Sequence, residues 1–514
     1  MTDNINYDYS SLVNQQGEDQ NSNNNTKIGE RNYSSNENLK VEEIDQKKLL
    51  MGSISFRTSW VRWIALVCAC LLMVGNYMSY DFPSYLQTGM GITIFNCSNY
   101  DAKTENCKEY RKYYPLLYSL YSFPNFILPL FGGFFIDKIG VRLGLILFTG
   151  ILTIGQLICT LAGVFEGGWN DNTSVFVWLY IGRVIFALGG ENQTVTQSTI
   201  VSKWFQGKEL AFALGTNISC ARLGSFVGSQ ILPRAYKSHN LTFALLIAEI
   251  FCMCSFLFML VLVWMDKKAD QQEGKNKVSD KLDPSEQVNL KDIKDFPLLY
   301  WLLAISCLLN YQCIFVFLQF AQGFFTTEFQ DGETQASTFQ SIPYLISAFL
   351  TPFVGLLADK IGQRQWLLLL SSSIMVTAHI LFLALPHCPA PEERCSVAYQ
   401  IIPLVLMGLF YSFYAAILWP CIPLVLKEQY VGTGFGVATA IQNFGLFLAP
   451  LIVNQIIPAY GYTGSQIYFI GSGVICIFIS FFIIYLDKRT GKRLARITGK
   501  EGDLKKSRAS IAHI

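Results

Sequence analysis

The sequence has few charged residues and almost no histidine. Asp, Glu, Lys and Arg together make up 15% of the 514 residues, and there are four His. A soluble protein of this length would be expected to form several domains with charged surfaces, which this composition does not supply. The chain also lacks a strongly basic face typical of nucleic-acid binding, and no Cys and His spacing indicates zinc. The sequence therefore predicts no nucleic-acid partner, no metal and no cofactor.

Hydrophobic residues account for 51% of the chain and are concentrated in long segments. A helix needs about 20 apolar residues to cross a bilayer. Twelve segments reach roughly that length, and they predict an all-α membrane protein. The predicted spans are residues 60–80, 113–136, 143–165, 175–199, 209–232, 241–265, 297–322, 337–358, 365–385, 397–426, 433–457 and 464–486.

Polar stretches divide the chain around these spans. Residues 1–55 are rich in Asn, Ser, Gln and Glu, so they cannot bury enough apolar surface to fold and are predicted to be a disordered tail. This tail has no basic start followed by an apolar core, so it is not expected to be a cleavable signal peptide. A charged linker at 266–296 separates a first six-helix bundle, 56–265, from a second, 297–487, and a basic tail follows at 488–514.

The distribution of Lys and Arg predicts the orientation of the spans. One set of loops carries most of these residues, whereas the alternate short loops at 167–174, 323–336 and 458–463 carry none. The first alternate loop is an exception, because it contains Lys103, Lys108, Arg111 and Lys112. On balance both termini are expected in the cytosol, with the alternate loops facing a lumen.

The alternate loops also hold residues typical of a lumenal face. Four cysteines make two candidate disulfide pairs if these loops lie in an oxidising compartment, Cys97 with Cys107 and Cys388 with Cys395. Three asparagines begin sequences that accept N-linked glycans, namely Asn96, Asn172 and Asn240. The first of these asparagines directly precedes a paired cysteine, so glycosylation and the disulfide are expected to compete there.

The pattern G-x-x-x-D-K-I-G-x-R occurs twice, each time between two spans. The first copy supplies Asp137 and Arg142, and the second supplies Asp359 and Arg364. Each Asp and Arg can pair across the cytosolic mouth, so these are candidate gating residues, with an ordinary solvated turn as the alternative. Two copies indicate two homologous halves, and they resemble the loop signature of the major facilitator superfamily. The resemblance implies two six-helix bundles related by pseudo-two-fold symmetry and a secondary transporter.

Two ionisable side chains are predicted near the middle of the membrane, where a charge is costly and usually functional. Glu191 follows Gly189-Gly190 in the fourth span, and Arg222 lies about halfway along the fifth. Arg222 can bind a carboxylate with two parallel hydrogen bonds, and Glu191 can hold an ammonium, so the two indicate a zwitterionic ligand. The alternative is a buried structural ion pair. Arg183, earlier in the fourth span, is expected to serve packing.

The second half has no matching pair of charges. An alignment of the halves sets the fifth-span arginine against Asn443, next to Gln442, and the tenth span offers Trp419 in place of an acid. This wall is expected to hold a ligand by stacking and amide contacts. Tyr118 and Tyr121 in the second span, and Tyr80-Asp81 at the end of the first, are further candidate lining residues. For the aromatic residues, a lipid-facing or interfacial position is the alternative.

The N-terminal tail contains Asp45, followed after three residues by Leu49-Leu50. An acidic residue shortly before Leu-Leu in an accessible cytosolic tail is similar to an adaptor-read endolysosomal sorting signal. The alternative is that the two leucines simply begin the first span.

Motifs spread over roughly residues 60–487 carry a closer resemblance. They are Tyr80-Asp81-Phe82-Pro83, Tyr121-Ser122, Gly189-Gly190-Glu191, Trp204-Phe205, Ala221-Arg222, Leu418-Trp419-Pro420 and Ile441-Gln442-Asn443. Together they resemble the lysosomal dipeptide transporters of the major facilitator superfamily. This resemblance implies a multi-pass lysosomal membrane protein that exports dipeptides to the cytosol.

The resemblance also implies roles and partners. Glu191 and Arg222 would hold the two ends of the peptide, a glycosylated single-pass lysosomal protein would act as accessory subunit, and the tail signal would bind a clathrin adaptor. The first span lacks the E-x-x-E-R pattern of proton-coupled peptide transporters, which favours a facilitator. The alternatives are a proton-coupled porter for another organic anion or small metabolite, and a non-transporting scaffold or nutrient sensor. No nucleophile and base set indicates an enzyme.

Overall fold

The structure of the protein is a computed structural model. It describes residues 56–57, 59–131, 139–165, 172–205, 209–273, 290–386, 397–427 and 430–496. Within these residues every regular element is a helix, so the all-α class is confirmed.

The first half of the chain forms eight α-helices in the described residues. They are α1 Val61–Tyr85, α2 Gln87–Phe95, α3 Glu105–Tyr113, α4 Leu116–Ile127, α5 Val141–Ala162, α6 Asn172–Trp204, α7 Leu210–Ser238 and α8 Leu241–Gln272. A short 3-10 helix, Gly163–Phe165, extends α5.

The second half forms six α-helices within the same described residues. After a 3-10 helix at Leu290–Asp295 come α9 Leu298–Glu328, α10 Glu333–Gln340, α11 Ile342–Ile361, α12 Arg364–Ala384, α13 Ala398–Val425 and α14 Val431–Arg489. Gly461 interrupts α14 with φ +65° and ψ −173°, a conformation that glycine adopts at little steric cost. The two last predicted spans therefore lie on either side of this break.

Each predicted span overlaps a described helix, although the second overlaps mainly the 12-residue α4 and the last two both lie in α14. Nine helices in the described residues, α14 counted once, are long and apolar enough to cross a membrane by length and composition. The sequence analysis does not predict α2, α3 or α10, because these helices are too short to appear as spans. It also places the end of the sixth span at residue 265, whereas α8 continues to Gln272.

The helices pack mainly within each half. In the first half α1 packs against α7 and α8, and α5 packs against α6 and α8. In the second half α9 packs against α14, α11 against α13, and α12 against α13 and α14. The halves meet where α4 lies against α14 and α7 lies against α11.

Large apolar side chains cover the outside of the helices. Phe349 and Phe353 on α11 are 65% and 67% exposed, and Phe478 and Phe482 on α14 are 64% and 62% exposed. Contact with water at so many aromatic side chains would be unfavourable, whereas lipid chains accommodate them. The outer surface therefore fits a bilayer.

The two ends of the helices differ, and we name them by their sequence features. The motif end carries residues 139–142 and 359–364, from the two repeated loops. The opposite end, the disulfide end, carries the bond between Cys97 and Cys107, whose Cα atoms are 4.9 Å apart.

Two glycines let α5 and α6 approach closely. A Cβ atom on Gly155 would lie 2.3 Å from the amide nitrogen of Phe186, and one on Gly189 would lie 2.3 Å from the carbonyl oxygen of Phe148. The atoms met are backbone, so they cannot move aside without shifting a helix. Small residues at such positions are typical of helix pairs in membranes.

Replacing Gly155 with Ala is expected to lower stability, because the added methyl group overlaps the α6 backbone. Overpacking of this kind costs about 1–3 kcal/mol. The measurement is the thermal unfolding midpoint of the purified protein in detergent. Gly144→Ala on the same helix is the matched control, since its Cβ would meet no atom closer than 3.6 Å. Equal midpoints for the two variants would contradict the close approach of α5 and α6.

Candidate functional site

Arg222 is a buried cation without a hydrogen-bonding partner among the described residues. It lies on α7, and its guanidinium carbon is 4.0 Å from the centroid of the Tyr411 ring and 5.6 Å from that of Tyr77. Its Nε is buried and donates no hydrogen bond. Burial of a lone charge is unfavourable, and contact with the ring faces offsets part of that cost. The guanidinium therefore has donors available for an anion.

Glu191 lies on α6, half-buried and within Coulombic range of Arg222. In the part of the chain that the structure describes, its carboxylate accepts no hydrogen bond and joins no ion pair. The structure thus brings the two predicted charges near one another without bonding them directly. Opposite charges arranged in this way can each bind one end of a molecule that carries both signs.

Tyr121 packs beside Glu191 rather than facing lipid. A Cβ atom on Gly190, the residue before Glu191, would lie 2.7 Å from the Tyr121 hydroxyl oxygen. The Tyr121 ring is buried, with its centroid 4.7 Å from that of Tyr80. Glycine at position 190 therefore allows α4 to bring an aromatic side chain against the Glu191 segment.

Tyr118 and Arg183 join α1, α4 and α6. Arg183 is fully buried and donates hydrogen bonds to the carbonyl oxygens of Leu117 at 3.0 Å and Ser79 at 3.1 Å. The Tyr118 hydroxyl accepts a hydrogen bond from an α1 amide at 2.9 Å. The Tyr118 and Tyr121 rings both lie near the Arg183 guanidinium, at 5.5 and 5.0 Å. Arg183 therefore packs as the sequence predicts, and Tyr118 belongs to the same cluster.

Asp81, which the sequence analysis names as a candidate lining residue, is a third buried charge near Arg222. Its carboxylate accepts a hydrogen bond from the Ser225 hydroxyl at 2.6 Å, and Tyr344 lies nearby. Ser225 lies on α7 and Tyr344 on α11, so Asp81 lies where the two halves meet. The predicted first span ends at residue 80, which leaves this acid at a surface, whereas α1 continues to Tyr85 and buries it.

The second-half residues differ in how close they come to this cluster. Trp419 donates a hydrogen bond from its Nε1 to the Tyr311 hydroxyl at 2.9 Å, and Tyr311 is in Coulombic range of Arg222. Asn443 is buried, and its amide donates to a carbonyl one turn earlier in its own helix. Gln442 is half-buried and has no polar contact with the cluster among the described residues. The structure therefore joins Trp419 to the site more directly than the two amides.

The halves are bonded to each other at the disulfide end. Gln322 donates from its Nε2 to the Tyr85 carbonyl at 2.6 Å, and its Oε1 accepts from the Thr88 amide at 2.8 Å. The Gly323 amide donates to the Oε1 of Gln87 at 2.9 Å. These bonds close the disulfide end between α1, α2 and α9.

At the motif end, the charged side chains pair with residues of their own half. Arg142 donates from its Nε to Asp266 at 2.6 Å and also contacts Asp270, both on α8. Arg364 pairs with Asp359 at 2.8 Å in its own loop. Among the described residues, no hydrogen bond or ion pair at this end joins the two halves. The sequence analysis does not identify these α8 acids, because it assigns residues 266 and 270 to the linker.

Several other predicted residues are at the surface or outside the described chain. Asn96 is exposed, and Asn240 is exposed and caps α8 by accepting a hydrogen bond from the Phe243 amide at 2.9 Å. No group of His, Cys, Asp or Glu within the described ranges could hold a metal ion. The predicted residues outside the description are Asp45, Leu49, Leu50, Asp137, Cys388, Cys395 and the side chain of Asn172.

Comparisons with known proteins identify the family. The profile of the Major Facilitator Superfamily matches residues 112–450 and, in a second match, residues 303–512. The lysosomal dipeptide transporter MFSD1 of Homo sapiens is 32% identical over 443 residues, which cover 83% of this chain and 86% of the relative. The chain belongs to the major facilitator superfamily and, within it, to the MFSD1 family.

Other similar proteins agree with this assignment. The protein of the same name from Danio rerio is 30% identical over 424 residues, covering 80% of this chain and 83% of the relative. A solved structure of a mutant nucleoside transporter, NupG, matches with a TM-score of 0.58 over 82% of this chain and 99% of that chain. At 14% identity this second likeness extends to the fold alone, and it confirms the predicted superfamily fold.

Replacing Tyr411 with Leu is expected to destabilise the protein, because Arg222 loses the ring that lies against its guanidinium. A desolvated contact of this kind is worth about 2 kcal/mol. Thermal unfolding in detergent measures the effect. Tyr411→Phe is the control, since it keeps the ring and removes a hydroxyl group that is buried without a partner. An equal loss of stability in both variants would argue that the ring does not support Arg222.

Proposed function

We propose that this chain is a lysosomal membrane transporter that exports dipeptides to the cytosol. The observation that carries the proposal is the pair Glu191 and Arg222, which are within Coulombic range, opposite in charge and unbonded within the described residues. The names of the relatives from Homo sapiens and Danio rerio support the same cargo and compartment.

The chemistry of a dipeptide matches these two charges. Its carboxylate accepts two parallel hydrogen bonds from Arg222, and its ammonium group donates to Glu191. Both contacts are made to the peptide ends, so they are the same for every dipeptide. Such a site accepts many side chains and rejects molecules that carry a single charge.

The remaining lining residues supply an uncharged wall. Tyr118 and Tyr121 lie on the first half, and Trp419, Gln442 and Asn443 lie on the second. Aromatic rings and amides can contact peptide side chains without requiring a particular charge. We assign Asp81 to this site as well, since the Ser225 hydroxyl holds it near Arg222, with Tyr344 of the other half nearby.

Passage takes place by alternating access between the two bundles. When the halves are bonded to each other at the disulfide end, the transport path is open toward the motif end. To open toward the disulfide end instead, the protein must break the hydrogen bonds of Gln87 and Gln322. The protein acts as a facilitator in this scheme, so the peptide gradient sets the direction.

The orientation follows from the placement of charge and glycan acceptors. Both termini and the motif end face the cytosol, and the disulfide end, with Asn96 and Asn240, faces the lumen. The tail residues Asp45, Leu49 and Leu50 bind a clathrin adaptor for delivery to the lysosome. A glycosylated single-pass protein associates as an accessory subunit on the lumenal side.

Replacing Arg222 with Ala is expected to reduce dipeptide uptake into proteoliposomes, because the peptide carboxylate loses its charged partner. Hydrogen bonds to a charged group contribute about 1.5–3 kcal/mol, which corresponds to roughly 10- to 100-fold in affinity. Glu191→Gln, which keeps the side-chain shape, is expected to have a similar effect through the ammonium. Wild-type uptake in both variants would refute the site.

A peptide with a blocked amino group tests the contributions of Glu191 and Arg222 separately, and it also tests the class of cargo. An N-acetylated dipeptide has no ammonium, so the wild-type protein is expected to bind it weakly and Glu191→Gln is expected to bind it no worse. Binding is measured by the shift in thermal unfolding midpoint. Tight binding of the blocked peptide by the wild-type protein would favour a porter for organic anions.

A cysteine pair across the disulfide end tests alternating access. The hydroxyl oxygens of Thr88 and Thr326 are 3.5 Å apart, on α2 and α9, so Thr88→Cys with Thr326→Cys is expected to cross-link on mild oxidation and to stop uptake. Each single variant is the control and should keep its uptake under the same oxidant. Full uptake by the cross-linked protein would rule out movement at this end.

A further inference from the structure

A cavity of about 640 Å³ opens at the disulfide end, away from Glu191 and Arg222. Residues from α3, α4 and the preceding loop form one wall, and residues from α14 form the other. The cavity therefore spans both halves of the protein. Its lining is Lys103, Lys108, Arg111, Lys112, Pro115, Leu116, Leu451, Asn454, Gln455 and Pro458.

The cavity lining is positively charged, and some of its cationic side chains have no partner among the described residues. Arg111 is occupied, because its Nη1 donates to the carbonyl oxygens of Tyr100 and Ala102. Lys108 pairs with Glu105 at 3.3 Å on the exposed surface. Lys103 and Lys112 form no ion pair and no hydrogen bond with any described residue. Two ammonium groups thus face the cavity with no protein anion to neutralise them.

The basic wall is held in place by its neighbours. The Arg111 carbonyl accepts a hydrogen bond from the Asn454 amide at 2.9 Å, and the Tyr100 hydroxyl donates to the Asn454 Oδ1 at 2.6 Å. The bond between Cys97 and Cys107 fixes the start of α3. The backbone that carries Lys103 and Lys112 is therefore held against α14.

Four of the lining residues are apolar, and we call them the apolar floor of the cavity. Pro115 and Leu116 stand at the start of α4, and Leu451 and Pro458 lie on α14 shortly before its break at Gly461. The ends of membrane-spanning helices lie where hydrocarbon gives way to head groups. The cavity therefore combines a cationic rim in the head-group layer with an apolar floor at the edge of the hydrocarbon.

We propose that this cavity binds an anionic phospholipid, with the head-group phosphate on Lys103 and Lys112 and an acyl chain along Leu116 and Leu451. A phosphate supplies the missing negative charge, and an acyl chain covers the apolar floor, so one molecule satisfies both parts. Because the walls come from both halves, a bound lipid also stabilises the closed disulfide end. A free phosphate ion shares the charge but not the apolar contact.

The test compares lipids added to the purified full-length protein in detergent. Phosphatidylglycerol well above its dissociation constant is expected to raise the thermal unfolding midpoint by roughly 3 °C, and phosphatidylcholine is expected to have little effect. The double variant Lys103→Gln with Lys112→Gln should lose the rise, and Lys103→Arg with Lys112→Arg should keep it.

Two controls make the result specific. Lys427→Gln with Lys488→Gln removes the same charge from exposed positions at the motif end and should respond as the wild-type protein does. Inorganic phosphate should give no rise. An unchanged rise in the Lys103 and Lys112 glutamine variant, or an equal loss in the motif-end control, would overturn the site. A full rise with inorganic phosphate would overturn the lipid as its occupant.

Discussion

The site depends on a cation buried without an anion bonded to it. Arg222 lies against the Tyr411 ring, with Glu191 and Asp81 near but not bonded to it in the described structure. A direct ion pair would neutralise the guanidinium and occupy its donors. Aromatic rings lower the cost of the charge while leaving those donors unoccupied. The surrounding helices must therefore hold three charges at fixed separations, and the tight pairing of α5 with α6 and the bonds of Arg183 help to do so.

The spans and the two charges could be predicted from the sequence because each rests on a strong local signal. Long apolar segments identify helices, and an acid or arginine deep inside one is conspicuous. The burial of Asp81 within a helix could not be predicted in this way, since apolar composition ends the first span before it while the helix continues. The α8 acids that bind Arg142 were hidden for the same reason. Helix ends in polar sequence depend on contacts between distant segments, and local composition does not report these.

The aligned position of Asn443 shows a different limit. Pseudo-symmetry correctly matches the halves in architecture, but the matched side chains make different contacts. Arg222 extends toward the rings of the opposite half, whereas the Asn443 amide bonds to its own helix. The residue that meets Arg222 most closely, Tyr411, is one of many aromatic residues in the second half, so nothing in the sequence alone distinguishes it.

The two ends of the molecule are held by different kinds of bond. The motif end relies on guanidinium and carboxylate groups, whose attraction is weakened by salt and by protonation of the acids. At the disulfide end, Gln87 and Gln322 join the halves through amide groups and backbone atoms. Amides neither gain nor lose protons in the physiological range. These bonds between the halves therefore keep the same strength whether the solution they face is acidic or neutral.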